Sequence, residues 1–394
     1  MYIGYTDEQK ALRDELRSYY EAMLTDEIQD ELSRSEGVGP LARRLWKQMA
    51  SDGWAGIGWP KEYGGQGRTP IEQFVFFDES MRAGAPVPML TINSVAPTIM
   101  QYGSEEQKAF YLPKILAGEI HFAIGYTEPE AGTDLASLKT RAVRDGDVWR
   151  LTGAKTWITH AARADLMTVL ARTNVDDKGY RGLSMFLAEK PRGSDADPFP
   201  VDGLSGSEIE VLGYRGMKEY ELAFDGFAVP AQNLLGGIEG QGFKQLMQTF
   251  ESARIQTAAR AVGVAQNALE LALAYAHSRI QFGKPIADFD RVGGKIAWMA
   301  VETMVARQLA YFAAREKDSG RRCDTEAGMA KLLAARVAWA SADNAVQVHG
   351  GNGYALEYPV SRVLQDARIL NIFEGAAEIQ ATVIARGLLG ARNG

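Results

Sequence analysis

Four long stretches with the spacing of amphipathic helices dominate the C-terminal part of this 394-residue chain. Small and apolar side chains recur every three or four positions in the segments that begin at Phe243, Ile286, Thr325 and Val360. The joints between these segments are short, so neighbouring helices are expected to run antiparallel and to bury their apolar faces against one another. The sequence therefore predicts an up-and-down four-helix bundle over residues 233–394, in which the fourth helix is interrupted.

The residues before this bundle fall into two parts with different sequence patterns. Between 121 and 232, short segments rich in β-branched and aromatic residues alternate with Gly-containing turns at intervals of roughly 8–12 residues. This pattern predicts a small antiparallel β domain, either a barrel or a sandwich. Residues 1–120 instead carry helical patterns, with helices predicted over 5–33 and 40–52 and a capping box that opens at Ser104. The predicted fold class is α+β and mostly α: an N-terminal helical domain, a middle antiparallel β domain and a C-terminal four-helix bundle.

Charge and residue inventory argue against several classes of function. The net charge of -7 disfavours nucleic acid and anionic membrane surfaces as partners. A single cysteine, Cys323, cannot form an internal disulfide, and the four histidines stand at no metal-ligand spacing, so no metal site is expected. The chain contains no P-loop, no GxSxG elbow and no GxGxxG after a strand, which disfavours nucleotide triphosphatases and nicotinamide dehydrogenases. Without an apolar signal core or a run of membrane-spanning length, the chain is expected to be soluble and cytoplasmic.

Two stretches carry polar groups in unusual surroundings. NIFEGAAEIQ places one carboxylate, Glu374, in an apolar run directly before Gly375. In YTEPEAGTDLASL, the hydroxyl side chains of Thr127 and Thr133 frame a turn after a strand, where exposed N–H groups can bind a polar ring edge or a phosphate. Each stretch also has a plainer interpretation. Glu374 could face solvent at a helix break, and the threonines could bond only to their own backbone.

Five motifs in a fixed order favour the functional interpretation. They are YTEPEAGTDL, GAKTWIT, SRIQFGKPI, QVHGGNGY and NIFEGAAEIQ. In this order, and on this helix–β–helix layout, the chain resembles the acyl-CoA dehydrogenase family over nearly its whole length. The resemblance implies an FAD enzyme that oxidises an acyl-CoA thioester to the 2,3-enoyl-CoA and passes electrons to an electron-transferring flavoprotein. It also implies a homotetramer, with no nucleic acid and no membrane as partner.

The resemblance implies a role for individual residues. Glu374 matches the catalytic base that removes the α-proton of the thioester. Contacts to the flavin ring are implied for Tyr126, Thr127, Gly132, Thr133, Trp157 and Thr159, of which Thr133 also contacts the substrate. Contacts to the distant half of a neighbouring subunit's FAD are implied for Arg279, Gln281, Phe282, Gln347, Gly350 and Gly351, and cofactor contacts also for Ala376 and Glu378. Substrate contacts are implied for Glu251, Arg254 and Gly375, the first two to the CoA portion.

The choice of Glu374 as the base agrees with the chemistry. A thioester α-proton is weakly acidic, so its removal needs a carboxylate within reach and donors that stabilise the enolate oxygen. Ile372 and Phe373 flank Glu374, which predicts a partly desolvated carboxylate. Some branches of the family carry the base directly before the arginine of the CoA motif. That position is Ala253 here, which leaves Glu374 as the candidate.

Several positions depart from the family pattern and keep alternatives open. Asp290 and Ala376 stand where a glutamine and a hydroxyl residue are usual, and Met217 and Glu219 where serine and threonine are common. These departures concern how the adenine half of FAD is held and whether every subunit holds a full site. An α2β2 heterotetramer of the kind that acts on steroid side chains is therefore one alternative. A non-catalytic partner subunit and a flavin monooxygenase of the same fold are others, and short, long, branched and polycyclic acyl groups all agree with the sequence.

Overall fold

The N-terminal part of the molecule is a layer of six helices. The computed structural model of the chain describes residues 4–35, 37–177, 179–212 and 216–390, without the side chains of residues 33 and 248–252. The helices are α1 (Asp7–Met23), α2 (Asp26–Arg34), α3 (Pro40–Ser51), α4 (Pro70–Ala83), α5 (Ala96–Tyr102) and α6 (Glu105–Leu116). A π-helical turn, Leu90–Val95, leads into α5.

Local capping decides where these helices begin. The single helix predicted over 5–33 is wrong, because Leu24 leaves the helical conformation and the Thr25 hydroxyl accepts a hydrogen bond from the N–H of Ile28 to start α2. The capping box predicted at Ser104 is confirmed. The Ser104 hydroxyl accepts from the Gln107 N–H at 3.2 Å, and the Gln107 side chain accepts from the Ser104 N–H at 3.0 Å.

Seven strands form the described part of the middle of the chain. They are β1 (Phe122–Gly125), β2 (Arg141–Asp145), β3 (Val148–Thr159), β4 (Leu166–Arg172), β5 (Leu183–Glu189), β6 (Leu204–Ile209) and β7 (Glu219–Pro230). Their order is β1-β4-β2-β3-β7-β6, with β5 paired to β4. The predicted β domain is confirmed, although the sheet is mixed: β1 and β2 each run parallel to β4. The ring centroids of Trp149 on β3 and Phe186 on β5 lie 5.4 Å apart in an edge-to-face arrangement. Because β3 and β5 are not paired, this contact shows that the sheet folds over its own apolar core.

The C-terminal part is the predicted helical bundle. Its helices are α7 (Gly242–Ser278), α8 (Asp290–Asp318), α9 (Asp324–His349), α10 (Pro359–Ile369) and α11 (Ala377–Leu389), with a small hairpin of β8 (Ile280–Gln281) and β9 (Lys284–Pro285) between α7 and α8. The predicted interruption of the fourth helix is confirmed as the gap between α10 and α11. Fully buried alanines such as Ala265, Ala272 and Ala334 let α7 and α9 approach closely.

One apolar core runs through the N-terminal helices and the bundle, because α7 packs against both α4 and α9. The two helices approach closely at Gly263 of α7, where a Cβ atom would lie 2.4 Å from the carbonyl oxygen of Asp78 on α4. Within the described residues, no helix is long and apolar enough to cross a bilayer.

The Gly263 contact generates a stability prediction. Gly263→Ala should lower the free energy of unfolding by about 1–3 kcal/mol, because the added methyl group meets rigid backbone and pushes α4 from α7. The matched control is Gly294→Ala in α8, where nothing lies within 4 Å of the added Cβ. That change should raise the free energy of unfolding by up to about 1 kcal/mol, through helix propensity. Urea denaturation measures both, and a Gly263→Ala protein as stable as the wild type would contradict the packing argument.

Candidate active site

Glu374 lies in the break between α10 and α11, in strained backbone. Its φ angle is 52°, in the left-handed region that residues other than glycine rarely adopt, and Gly375 follows with φ 89°. The chain leaves α10 through bonds from the N–H groups of Ile372 and Phe373 to the carbonyl of Ile369, at 2.8 and 3.1 Å. Backbone strain of this kind is kept where the surrounding structure over-determines it, and it is common at functional sites.

The surrounding helices hold this break in place. Lys331 on α9, which is 1% exposed, donates from Nζ to the carbonyls of Phe373 and Gly375 at 3.1 and 2.7 Å. Gln380 on α11 also donates to the Gly375 carbonyl, at 3.2 Å. Burial lowers the pKa of Lys331 to about 8, against the opposing attraction of Glu374. The peptide group before Glu374 and the one after Gly375 are therefore held by hydrogen bonds.

Two residues of α7 bind the carboxylate of Glu374. Arg260 places Nη1 at 3.2 Å from Oε1 and 3.5 Å from Oε2, and the Thr257 hydroxyl donates to Oε2. The side chain of Arg260 is 4% exposed and that of Glu374 is 17% exposed, which agrees with the predicted desolvation. The guanidinium of Arg260 also lies 5.1 Å from the ring centroid of Phe373. Neither Arg260 nor Thr257 was predicted from the sequence, where the one pattern that connects them is their i, i+3 spacing on one helix face.

A cavity of about 220 Å³ opens beside the Glu374 carboxylate. Three parts of the chain line it. The bundle contributes Arg260, Val264, Asn267, Arg362, Asp366 and Phe373, the N-terminal layer contributes Met81, Val87, Met89 and Thr91, and the β domain contributes His121, Phe122, Thr159 and His160. The predicted base and Thr159 therefore share one cavity, although they lie on different domains.

Two neutral imidazoles form part of the cavity wall. His121 is 5% exposed, and neither of its ring nitrogens has a hydrogen-bond partner among the described residues. Burial lowers the pKa of His121 to about 4 and that of His160 to about 3, so neither ring carries a charge at neutral pH. His160 also has a left-handed backbone, with φ 57°. Neither histidine was singled out from the sequence.

The loop at 126–128 is fixed to strand β3. The N–H of Thr156 donates to the Thr127 carbonyl at 3.0 Å. Lys155, which is fully buried, donates to the Tyr126 carbonyl at 3.1 Å and to Glu128 at 2.9 Å. The carboxylate of Glu128 also accepts from two backbone N–H groups of the following turn. A buried ion pair of this kind has a defined geometry, so it sets the position of the Thr127 hydroxyl relative to β3.

Trp157 and Thr159 project from the irregular end of β3. The register with β7 shifts between Lys155 and Ile158, and Trp157 has φ 59° and is 56% exposed. At Gly132, a Cβ atom would meet only the Thr127 side chain, at 4.0 Å. An exposed aromatic side chain near the end of β3, and an open turn at Gly132 that β3 holds through Thr127, fit a planar ring with a polar edge such as a flavin. Thr133 is exposed and does not line the cavity.

Glu219 on β7 adds a buried acid behind Thr159. The Thr159 hydroxyl donates to Oε1 of Glu219 at 2.7 Å, and Oε2 has no hydrogen-bond partner among the described residues. Burial raises the pKa of Glu219 from 4.5 to about 7, with the bond from Thr159 acting in the opposite direction. The sequence showed Glu219 only as a departure from the family pattern.

The remaining predicted residues do not line this cavity. Arg279, Gln281, Phe282, Gln347, Gly350 and Gly351 lie at the hairpin after α7 and at the end of α9, where Phe282 is 94% exposed. Their role toward a neighbouring subunit's cofactor stays a prediction, as do the cofactor contacts of Ala376 and Glu378 at the start of α11. Nη1 of Arg254 lies 3.8 Å from Oδ1 of Asp324, and the side chain of Glu251 is outside the part of the chain that the structure describes. Among the residues that the structure describes, no cluster of His, Cys, Asp and Glu could hold a metal ion.

Comparisons with known proteins agree with this arrangement. The family models for the acyl-CoA dehydrogenase N-terminal, middle and C-terminal domains match residues 6–119, 123–227 and 240–389. The (2S)-methylsuccinyl-CoA dehydrogenase of Cereibacter sphaeroides is 58% identical over 388 residues, which cover 98% of this chain and 70% of that protein. A solved complex of glutaryl-coenzyme A dehydrogenase with glutaryl-CoA is 35% identical, with a TM-score of 0.86 over 100% of this chain and 98% of the other. The ChsE4-ChsE5 complex from Mycobacterium tuberculosis is 34% identical, with a TM-score of 0.87 over 100% of both chains.

The two hydrogen bonds from Lys331 to the carbonyls of Phe373 and Gly375 predict slow amide hydrogen exchange in the segment that carries Glu374. Lys331→Met should speed amide hydrogen exchange in residues 371–377 by about 10- to 100-fold, because two charge-assisted bonds to their carbonyls are lost. Mass spectrometry of peptides from this segment measures the change. The control is Lys47→Met on the exposed face of α3, which should leave the segment as in the wild type. Equal exchange in the Lys331→Met and wild-type proteins would show that the bonds from Lys331 do not hold this segment.

The raised pKa of Glu219 predicts a pH-dependent stability. The carboxyl loses its proton near pH 4.5 in the unfolded chain and near pH 7 in the folded one, so stability falls as the pH rises through this window. Glu219→Gln removes the cost of ionising this carboxyl in the folded protein. Its free energy of unfolding should exceed that of the wild type by up to about 3 kcal/mol at pH 8 and by little at pH 4.5.

Urea denaturation of ligand-free protein at the two pH values measures this difference. The control is Glu210→Gln, an exposed residue beyond β6, which should follow the wild type at both pH values. A Glu219→Gln gain that is the same at pH 4.5 and pH 8 would contradict the assignment.

Proposed function

Because this chain belongs to the acyl-CoA dehydrogenase family, we propose that it is an FAD-dependent enzyme that converts an acyl-CoA thioester to the 2,3-enoyl-CoA. The observation that carries the proposal is the Glu374 carboxylate, held in strained backbone at the wall of a cavity that also reaches Thr159. Dehydrogenation between the α and β carbons needs a base on one side of the substrate and a hydride acceptor on the other, since a proton and a hydride leave from adjacent carbons.

Glu374 takes the α-proton in this proposal. Its carboxylate has to lie within hydrogen-bond reach of the α-carbon, and the left-handed turn directs it into the cavity. The N–H of Glu374 would donate to the thioester oxygen as negative charge develops there. Lys331 donates to the carbonyl of Phe373, which belongs to the same peptide group as this N–H, so the N–H keeps its orientation while the proton moves.

The β-domain face would hold the cofactor. FAD would accept the hydride that leaves the β-carbon, and the electrons would then pass to an electron-transferring flavoprotein. Trp157 would pack against its ring, with Tyr126, Thr127, Gly132, Thr133 and Thr159 along the edge. The residues at the bundle end would hold its distant half: Arg279, Gln281, Phe282, Gln347, Gly350 and Gly351, with Ala376 and Glu378 from the start of α11. Glu251, Arg254 and Gly375 would contact the thioester substrate.

We further propose that the acyl group is a short, branched diacid of the methylsuccinyl type. The relative from Cereibacter sphaeroides, which is 58% identical over 98% of this chain, carries that substrate in its name. The cavity supports a small acyl group, since about 220 Å³ is below the roughly 300–1,000 Å³ of typical ligand pockets. Its wall combines apolar side chains such as Met89 and Val264 with polar ones such as Asn267, which suits a substrate with a methyl branch and a polar end.

The proposed assembly is a homotetramer, as the family resemblance implies. An α2β2 heterotetramer is the second candidate, and its support is the match to the ChsE4-ChsE5 complex over the full length of this chain. A flavin spectrum of the chain purified alone separates the two, because a chain with an incomplete set of cofactor contacts would lose FAD without its partner.

Substitution of the base tests the proposed reaction. In Glu374→Gln, an acyl-CoA should bleach the visible flavin absorbance about 100- to 10,000-fold more slowly than in the wild type, because the variant cannot accept the α-proton. The measurement is anaerobic stopped-flow absorbance with methylsuccinyl-CoA. The control is Glu21→Gln on the exposed face of α1, which should bleach at the wild-type rate. Wild-type flavin that no acyl-CoA bleaches, or a Glu374→Gln protein that reacts normally, would overturn the proposal.

A further inference from the structure

A buried acid, Glu219, is joined to the cavity through Thr159. The two residues lie opposite each other on the paired strands β7 and β3, and Thr159 lines the cavity whereas Glu219 does not. The Thr159 hydroxyl donates to Oε1 of Glu219 at 2.7 Å, and Oε2 has no hydrogen-bond partner among the described residues. Within this part of the chain, a change at the Glu219 carboxyl therefore reaches the cavity through the Thr159 hydroxyl.

No charged side chain among the described residues sets the ionisation of Glu219. Burial raises its pKa to about 7, and the bond from its threonine partner acts in the opposite direction. The neighbouring Lys218 pairs with Glu208 of β6 at 2.9 Å. His160, which follows on β3, and His121 are neutral, because burial lowers the pKa of each ring to about 3 and about 4. The Glu219 carboxyl can therefore change its protonation near neutral pH.

The Thr159 hydroxyl has one hydrogen, so it can donate to Glu219 or to a ligand in the cavity but not to both. When Glu219 is ionised, it accepts this hydrogen, and the hydroxyl oxygen is left to accept from the ligand. When Glu219 is protonated, its carboxyl can donate to the hydroxyl oxygen, which frees the hydrogen of Thr159 for an acceptor in the cavity. The protonation of Glu219 thus decides whether Thr159 presents a donor or an acceptor to the cavity.

A flavin ring reverses its hydrogen bonding at one position on reduction. Its N5 nitrogen accepts a hydrogen bond in the oxidised ring and carries a hydrogen, which it donates, in the reduced ring. The oxidised ring therefore matches a Thr159 that donates, with Glu219 protonated. The reduced ring matches a Thr159 that accepts, with Glu219 ionised. Either mismatch leaves a buried polar group without a partner, which is unfavourable.

We propose that Glu219 is a positioning residue for the cofactor, which couples reduction of the flavin to release of its own proton through Thr159. This inference rests on the proposed function, in which Thr159 lies at the flavin edge. The ring gains two electrons and one proton, which the substrate loses as hydride, and the carboxyl proton of Glu219 goes to solvent. Since Glu219 then binds its proton more weakly beside the reduced ring, reduction becomes easier, relative to a protein without this carboxyl, as the pH rises.

The midpoint potential of bound FAD measures the coupling, in titrations of the holoenzyme without acyl-CoA from about pH 6 to about pH 9. Glu219→Gln can donate to Thr159 at every pH. In this variant one proton enters for two electrons, so the potential should fall by about 30 mV per pH unit, a tenfold change in equilibrium constant. In the wild type, proton release from Glu219 offsets this uptake, so the curve should flatten above about pH 7. Parallel curves for the two proteins over the whole range would overturn the coupling.

Two further variants separate this relay from a simple effect of charge. Thr159→Val keeps Glu219 but removes the hydroxyl, so its potential should run parallel to that of Glu219→Gln. The control is Glu221→Gln, an exposed residue of the same strand that accepts from Ser207, which should follow the wild type. A wild-type slope steeper than that of Glu219→Gln, or a flattening that persists in Thr159→Val, would show that Glu219 acts by its charge and would overturn the relay.

Infrared difference spectra follow the proton itself, and they remain as a test if Thr159→Val fails to fold or to bind FAD. On photochemical reduction at about pH 8, the wild-type holoenzyme should lose a carboxylic acid C=O band and gain a carboxylate band, and Glu219→Gln should show neither change. A wild-type spectrum without these changes would overturn the inference and leave the dehydrogenase standing.

The proposed function fails in a different way. None of these measurements uses acyl-CoA, so a holoenzyme that shows the coupling but oxidises no acyl-CoA would overturn the proposed reaction alone. A chain that binds no FAD in any assembly would overturn both.

Discussion

The site depends on one unusual event in the bundle, the break of its fourth helix. A broken helix exposes carbonyl and N–H groups that cannot be left buried without partners. Here Lys331 supplies donors to two of the carbonyls, Gln380 to one, and Asn371 bridges back to α9 through a bond to the Ala335 carbonyl at 3.1 Å. These bonds support the break from which the Glu374 carboxylate reaches the cavity.

The β-domain side of the site is also built from buried charge and strained backbone. Burial lowers the pKa of Lys155 to about 8, and its partner Glu128 has its pKa lowered because the attraction of Lys155 and the bonds from backbone N–H groups outweigh burial. This pair is weak evidence for stability, since buried ion pairs often do no better than apolar groups of similar size. Its clearer effect is geometric, because it fixes the Thr127 loop to the strand that carries Trp157.

The sequence predicted what depends on local pattern and missed what depends on distant contacts. Helical periodicity gave the bundle and the interruption before α11, and turn spacing gave the β domain. The helix break at Thr25 was not predicted, because a single N-cap ended an amphipathic pattern that is continuous in the sequence. The parallel pairing of β1 with β4 was not predicted either, because the residues of a strand do not indicate the direction of its partner. Arg260 precedes Glu374 by 114 residues, and only the packing of α7 against the break brings them together. Glu219 is a similar case, since its burial behind Thr159 follows from the pairing of β3 with β7.

The bonds from Lys331 to the carbonyls of Phe373 and Gly375 also bear on how the Glu374 carboxylate can move. With the backbone held at these two residues, the carboxylate reorients by rotation about its own side-chain bonds. Side-chain rotations take picoseconds to nanoseconds when unhindered, whereas loop and lid closures take microseconds to milliseconds. A carboxylate mounted in this way can reorient by side-chain rotation alone, without a movement of the backbone that carries it.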